Sequence, residues 1–111
     1  MKHLLPTLTV TAALLLLSGS SPSAAARKPL THKLTIEATT FTPELLTIKA
    51  GDSVTWTNKD PFPHTVTSAA GGFDSPAIAP GASWTYKAVK KGEFPYSCTL
   101  HPTMKARLKV Q

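Results

Sequence analysis

Between residues 33 and 111, apolar and polar positions alternate in short runs, and each run is bounded by Gly, Pro, Asn or Asp. A period of two is that of a β-strand with one face turned inward. Leu34, Ile36 and Ala38 alternate with Thr35, Glu37 and Thr39, which predicts a first strand; Leu46 and Ile48 predict a second, closing at Ala50-Gly51-Asp52. Val54, Trp56 and Asn58 share the inner face of a third, and His64, Val66 and Ser68 that of a fourth. Trp84/Tyr86/Ala88, Phe94/Tyr96/Cys98 and Ala106/Leu108/Val110 supply three more. In the last strand the outward positions are Lys105, Arg107 and Lys109. Turns fall at Gly71-Gly72, Asp74-Ser75-Pro76, Pro80-Gly81 and Lys91-Gly92. With no amphipathic helix and no internal repeat, the pattern is that of an all-β sandwich.

The start of the chain breaks this pattern. Met1-Lys2-His3 is basic, Leu4 to Leu17 is apolar apart from threonines and Pro6, and Ser18 to Ser23 is small and polar. This reads as a cleavable secretory signal peptide over 1–26, with an A-x-A-like site at Ala24-Ala25-Ala26. The apolar run falls short of the roughly 20 residues that a membrane span needs, so no stable membrane insertion is expected. Residues 27–32 read as a flexible leader and 33–111 as the domain.

Composition narrows the class. The chain has 111 residues, a formal net charge of +6, ten prolines and one cysteine. That length excludes a multidomain enzyme, and the prolines argue against long helices. Removing the signal peptide, and Lys2 with it, leaves 85 residues with 11 basic and 6 acidic side chains, a charge of +5. A lone cysteine forms no internal disulfide, and in an exported protein it needs another reason to be there.

That reason lies in Cys98-Thr99-Leu100-His101-Pro102-Thr103-Met104, with His64 34 positions upstream. Each residue has an ordinary reading when taken alone: a buried small hydrophobe for Cys98, core filler for Met104, a hydrogen-bonded loop or core histidine for His64, a turn residue for His101. Together, at strand ends, they put a thiolate, two imidazoles and a thioether within reach of one ion. That is the His₂Cys set with a weak axial Met of a type 1 (blue) copper centre. Structural zinc competes, but it favours paired Cys/His/carboxylate ligands and seldom accepts a thioether.

The stretches Phe41-Thr42-Pro43, Ala50 to Asn58, Pro63-His64-Thr65-Val66, Gly72-Phe73-Asp74-Ser75, Pro80-Gly81 and Gly92 to Met104 make the sequence resemble a bacterial cupredoxin of the plastocyanin/azurin family, most like the amicyanin branch. Ala106 departs from the glycine many members carry after their Met-Lys pair. The resemblance implies a Greek-key sandwich with one copper ion at one pole, held by His64, Cys98, His101 and Met104. It also implies that Asn58 ties the two ligand loops together by bonding near Thr99 and placing an amide beside the Cys98 sulfur. By the same likeness His101 is the electron exit, through an apolar patch of Phe62, Pro63 and Pro102.

Four side-chain ligands leave no open position for a substrate, so the reading is an electron shuttle and not an enzyme. The alternative is a periplasmic copper carrier or sequestration protein, although the Met-rich or His-rich tracts of such carriers are missing. A cysteine-nucleophile hydrolase fails for want of a third orienting group. Expected partners are redox proteins, a c-type cytochrome, a dehydrogenase or an oxidase, with an acidic surface suited to Lys105, Arg107 and Lys109. Nucleic-acid binding is not expected from scattered basic residues on an exported monomer.

Overall fold

Strands of period two with one apolar face must bury that face against another sheet, and here two sheets do so. The computed structural model describes residues 3, 4, 13 and 27–111. The signal peptide expected over 1–26 therefore lies almost wholly outside the described residues. One sheet has the order β2-β1-β4-β7, built from Thr40–Thr42, Thr31–Glu37, Ser53–Asn58 and Ser83–Lys87. The other has the order β3-β9-β8-β5-β6, built from Leu45–Ile48, Lys105–Val110, Gly92–Ser97, Thr67–Ser68 and Phe73–Asp74. The fold is all-β, as the alternation predicts.

Two parallel pairings set the poles. β1 runs alongside β4 with Leu34 opposite Trp56 and Ile36 opposite Asn58, and β3 runs alongside β9 with Leu46 opposite Leu108. β7 and β8 run antiparallel to β4 and β9. The end of β4, the end of β8 and the start of β9 thus meet at one pole. Between the sheets Trp56 is fully buried, with its ring 5.7 Å from both Trp84 and Tyr96 and its Nε1–H donating to the Tyr96 hydroxyl at 3.3 Å. Burial pushes the Tyr96 phenol up to about 12, although the Trp56 hydrogen bond opposes the rise.

Three expectations need correction. Residues 27–32 are not a free leader: Thr31 and His32 open β1, and the Ser53 N–H donates to the Leu30 carbonyl at 2.9 Å. Residues 64–68 do not form one strand, since β5 holds only Thr67 and Ser68 while His64 makes an isolated bridge with Ile78. The cause is local, because the Thr65 and Val66 N–H groups donate to Cys98 Sγ and Ser75 Oγ instead of to a neighbouring strand. Short β2 was missed because three residues are too few to show a period. It follows a turn at Ala38 and Thr39, both with φ of 52°, a left-handed backbone that non-glycine residues seldom adopt.

At the pole away from Cys98, buried Asp52 ties the amino-terminal segment down. Its carboxylate accepts from Arg27 Nη2 at 2.6 Å, His32 Nε2 at 2.9 Å and the N–H groups of Leu30 and Lys49. Burial works to raise its pKa, but the Leu30 N–H, His32, Arg27 and Lys49 N–H together hold it well below the ordinary carboxylate range. A depressed carboxylate contributes stability that is full above its unfolded pKa and is lost as pH falls toward the folded one. Denaturant titrations should therefore show stability falling between about pH 5 and pH 2, with a smaller loss over that range in Asp52→Asn. An equal loss in the variant would contradict this.

Candidate metal centre

The side chains that bear chemistry gather where β4 ends, β8 ends and β9 begins. Cys98 follows β8 directly and is fully buried, as is His64. The loop returning to β9 is tight: the His101 N–H donates to the Cys98 carbonyl at 3.3 Å, the Met104 N–H to the His101 carbonyl at 2.9 Å, and the Cys98 N–H to the Met104 carbonyl at 3.2 Å. Three hydrogen bonds within seven residues turn the loop back on itself and put Met104, also buried, next to Cys98 along the backbone.

Around the sulfur the geometry is specific. His64 Nδ1 lies 3.6 Å from Cys98 Sγ and His101 Nδ1 lies 3.9 Å from it. The donor atoms of His64, Cys98 and His101 all fall within 4.8 Å of one another, and the two imidazole centroids are 4.9 Å apart. Two nitrogens facing one sulfur at these separations can close on a single ion. Burial opposes ionisation of the thiol, but the Thr65 N–H at 3.3 Å, His101, His64 and the Leu100 N–H outweigh it and bring its pKa down to about 6. The sulfur is therefore prepared as a thiolate ligand.

Each imidazole presents the same nitrogen for a reason that can be traced for His64. Its Nε2 is 2.7 Å from an Asp60 carboxylate oxygen. Nε2 thus donates to the carboxylate, and Nδ1 is the nitrogen turned toward the sulfur, able to bind an ion once it carries no proton. Asp60 is itself buried and accepts from the Ala38 and Thr39 N–H groups at 2.6 and 2.9 Å, so the left-handed β1–β2 turn is bound to the same carboxylate. Burial would raise the Asp60 pKa, but the Thr39 N–H, His64 and the Ala38 N–H hold it below the ordinary value. His101 is partly exposed, and the Phe62 ring lies 5.4 Å from it and 5.2 Å from His64. Phe62, Pro63, Leu100 and Pro102 are exposed around it.

The structure changes which residue supports the sulfur. Asn58 does not reach Thr99: its Nδ2 donates to the Phe62 and Ile78 carbonyls at 2.8 and 2.9 Å, and its Oδ1 accepts from the Asp60 N–H. Lying at the end of β4, it shapes the loop 59–63 in front of His64. The link between the two ligand segments is Thr65, whose Oγ1 accepts from the Thr99 N–H at 2.9 Å and lies 2.9 Å from Thr99 Oγ1. Its N–H is also the amide beside Cys98 Sγ. The sequence reading missed Thr65 and Asp60. Adjacency to His64 is the signal for the first, and an acid four residues before a candidate ligand is the signal for the second.

The donors fit a soft, redox-active metal, since thiolate suits Cu(I) and imidazole suits both copper oxidation states. Replacing Asp60 with alanine should lower metal affinity by roughly 10- to 100-fold, because His64 then loses the partner that fixes its tautomer and ring orientation. Nitrogen NMR of the metal-free protein should show His64 protonated at Nε2, and the preference should disappear in Asp60→Ala. Unchanged affinity and tautomer would contradict the role given to Asp60.

The family model described as a cupredoxin-like domain matches residues 8–110. A chloroplastic plastocyanin of Tetradesmus obliquus is 41% identical over 75 residues, covering 58% of this chain and 52% of its own. Amicyanin-alpha of Methylorubrum extorquens is 36% identical over 75 residues, covering 63% of this chain and 62% of its own. The chain thus spans less than two thirds of the length of either relative. A solved Cu(I) form of an amicyanin mutant superimposes with a TM-score of 0.69 at 25% identity, over 78% of this chain and 88% of that one. Both sheets and every residue of the metal pole fall inside the matched stretch, and the chain belongs to the cupredoxin-like domain family.

Proposed function

We propose that the protein is a type 1 copper electron carrier, with one copper ion held by His64, Cys98, His101 and Met104. The observation that carries this is the buried Cys98 sulfur facing two imidazole Nδ1 atoms at 3.6 and 3.9 Å. Copper, when bound, supplies a one-electron couple between Cu(I) and Cu(II). The chain's own residues hold the donors in place for both states. Asp60 fixes His64, Thr65 donates to the sulfur and ties its loop to Thr99, and the hydrogen bonds of residues 98–104 fix His101 and Met104. Donors that need not move on electron gain or loss keep the reorganisation cost of transfer low. With all four positions taken by side chains no site is left for a substrate, so the assignment is a carrier and not an enzyme.

Partly exposed His101 is the electron exit in this reading. Phe62 covers both imidazoles while keeping 39% of its surface exposed, and Leu100 keeps 52%. With Pro63 and Pro102 they form a small apolar rim, suited to a brief redox contact burying less than about 1,200 Å². The partner is a redox protein such as a c-type cytochrome, dehydrogenase or oxidase. Steering of an acidic partner by the β9 cations draws chiefly on Lys105, since Arg107 is engaged by Glu93 at 3.4 Å and Lys109 lies at the far end of its strand. Export to the periplasm, with cleavage near Ala26, rests on the sequence of residues 1–26. Among the described residues no helix is long and apolar enough to cross a membrane.

Adding Cu(II) to the metal-free protein should produce an intense visible thiolate-to-copper charge-transfer band, absent in Cys98→Ser. A colourless adduct would overturn the assignment. Stopped-flow mixing with a redox protein then separates shuttle from copper carrier: a shuttle changes oxidation state and keeps its metal, whereas a carrier loses it.

A further inference from the structure

Charge is distributed unevenly between the two poles. Seven of the eleven basic residues in 27–111 belong to segments at the pole opposite the metal centre: Arg27, Lys28, Lys49, Lys87, Lys90, Lys91 and Lys109. Backbone hydrogen bonds collect these segments at one end. The Ala50 N–H donates to the Gln111 carbonyl at 2.9 Å, the Gly51 N–H to Ala88 at 2.7 Å, and the Ser53 N–H to Leu30 at 2.9 Å. Six of the seven side chains are exposed, and Arg27 is partly so. Two acids share this pole. Asp52 is buried and occupied by Arg27 and His32, and Glu93 is engaged by Arg107. At the metal pole Lys59 and Lys105 are set against Glu37, Asp60 and Asp74, so no positive charge accumulates there.

Two exposed aliphatic side chains stand within this basic field. Val89, 68% exposed, lies in the turn between Lys87 and Lys90-Lys91, and Leu30, 54% exposed, follows Lys28-Pro29. Neither contributes to the core, and both face water at the end where cations are densest.

We propose that the basic pole rests on an anionic phospholipid surface. The lysines and arginines face the headgroup phosphates while Val89 and Leu30 settle among the headgroups, and His101 at the opposite pole is presented away from the bilayer. The cations come from four separate segments and surround two aliphatic tips. A broad charged plane with shallow apolar insertion matches that layout. Surface attraction grows several-fold with each lysine near the membrane and is screened by salt.

The test uses protein recovered from the exporting cell, cosedimented with phosphatidylcholine vesicles that do or do not contain phosphatidylglycerol. The readout is the difference between the two lipids. Binding is expected to the anionic vesicles, to be released by salt, and to fall about tenfold or more in the triple variant K87Q/K90Q/K91Q. Val89→Asp should weaken it as well, and Lys59→Gln at the metal pole should leave it unchanged. All five positions are exposed, and circular dichroism of each variant should match the parent. Equal binding to both lipids, or equal weakening by Lys59→Gln, would overturn the proposal. Displacement from vesicles by poly-glutamate, with Val89→Asp without effect, would also overturn it in favour of an acidic polypeptide.

Discussion

The metal pole depends on a buried carboxylate that has given away all its freedom. Asp60 accepts one hydrogen bond from His64 Nε2 and two from the Ala38–Thr39 turn. The first settles which imidazole nitrogen faces the thiol, and the other two anchor the first sheet to the ligand loop. A buried carboxylate without such partners would be costly. With them, it holds a fully buried histidine in one orientation before any ion arrives. Thr65 does the same for the sulfur, donating its N–H to Cys98 Sγ while its hydroxyl takes the Thr99 N–H. Among the described residues no buried side-chain nitrogen or oxygen lacks a partner, so this polar network is complete within the fold.

The sandwich makes that network possible by bringing strand ends together. β4 and β8 lie in different sheets, and their inner faces meet at Trp56 and Tyr96. Once that contact sets the spacing between sheets, Asn58 and Cys98 emerge at the same pole. Their loops then need only hydrogen bonds to complete the site. The His64–Ile78 bridge and the Asn58 bonds to Phe62 and Ile78 close the segment on one side, and the turn-like bonds of 98–104 close it on the other. Irregular backbone at this pole is thus held as firmly as the strands that lead into it.

Much of this could be read from the sequence, for identifiable reasons. Strands with full alternation and an aromatic on the inner face, such as Val54–Trp56–Asn58 and Phe94–Tyr96–Cys98, were legible because burial itself produces the pattern. His64, Cys98 and His101 were legible because a thiol and two imidazoles have few other reasons to share strand ends. The supporting partners were not. Asp60 looks like a turn acid, Thr65 like any strand threonine, and nothing in their spacing says which donor each will meet. The role given to Asn58 failed for the same reason, because a buried amide can satisfy itself on nearby carbonyls as readily as across the site. Residues 27–32 looked loose because Arg27 and Asp52 are 25 positions apart, and a charged pair at that separation leaves no local pattern.

In this reading the protein builds its metal geometry before the metal binds. Crystal structures of the metal-free and copper-loaded protein test it most directly. The Asp60–His64 and Thr65–Cys98 hydrogen bonds should persist in both, with His64, Cys98 and His101 keeping the same rotamers. A metal-free structure in which His64 has turned its Nδ1 away from Cys98, or has left Asp60, would contradict it.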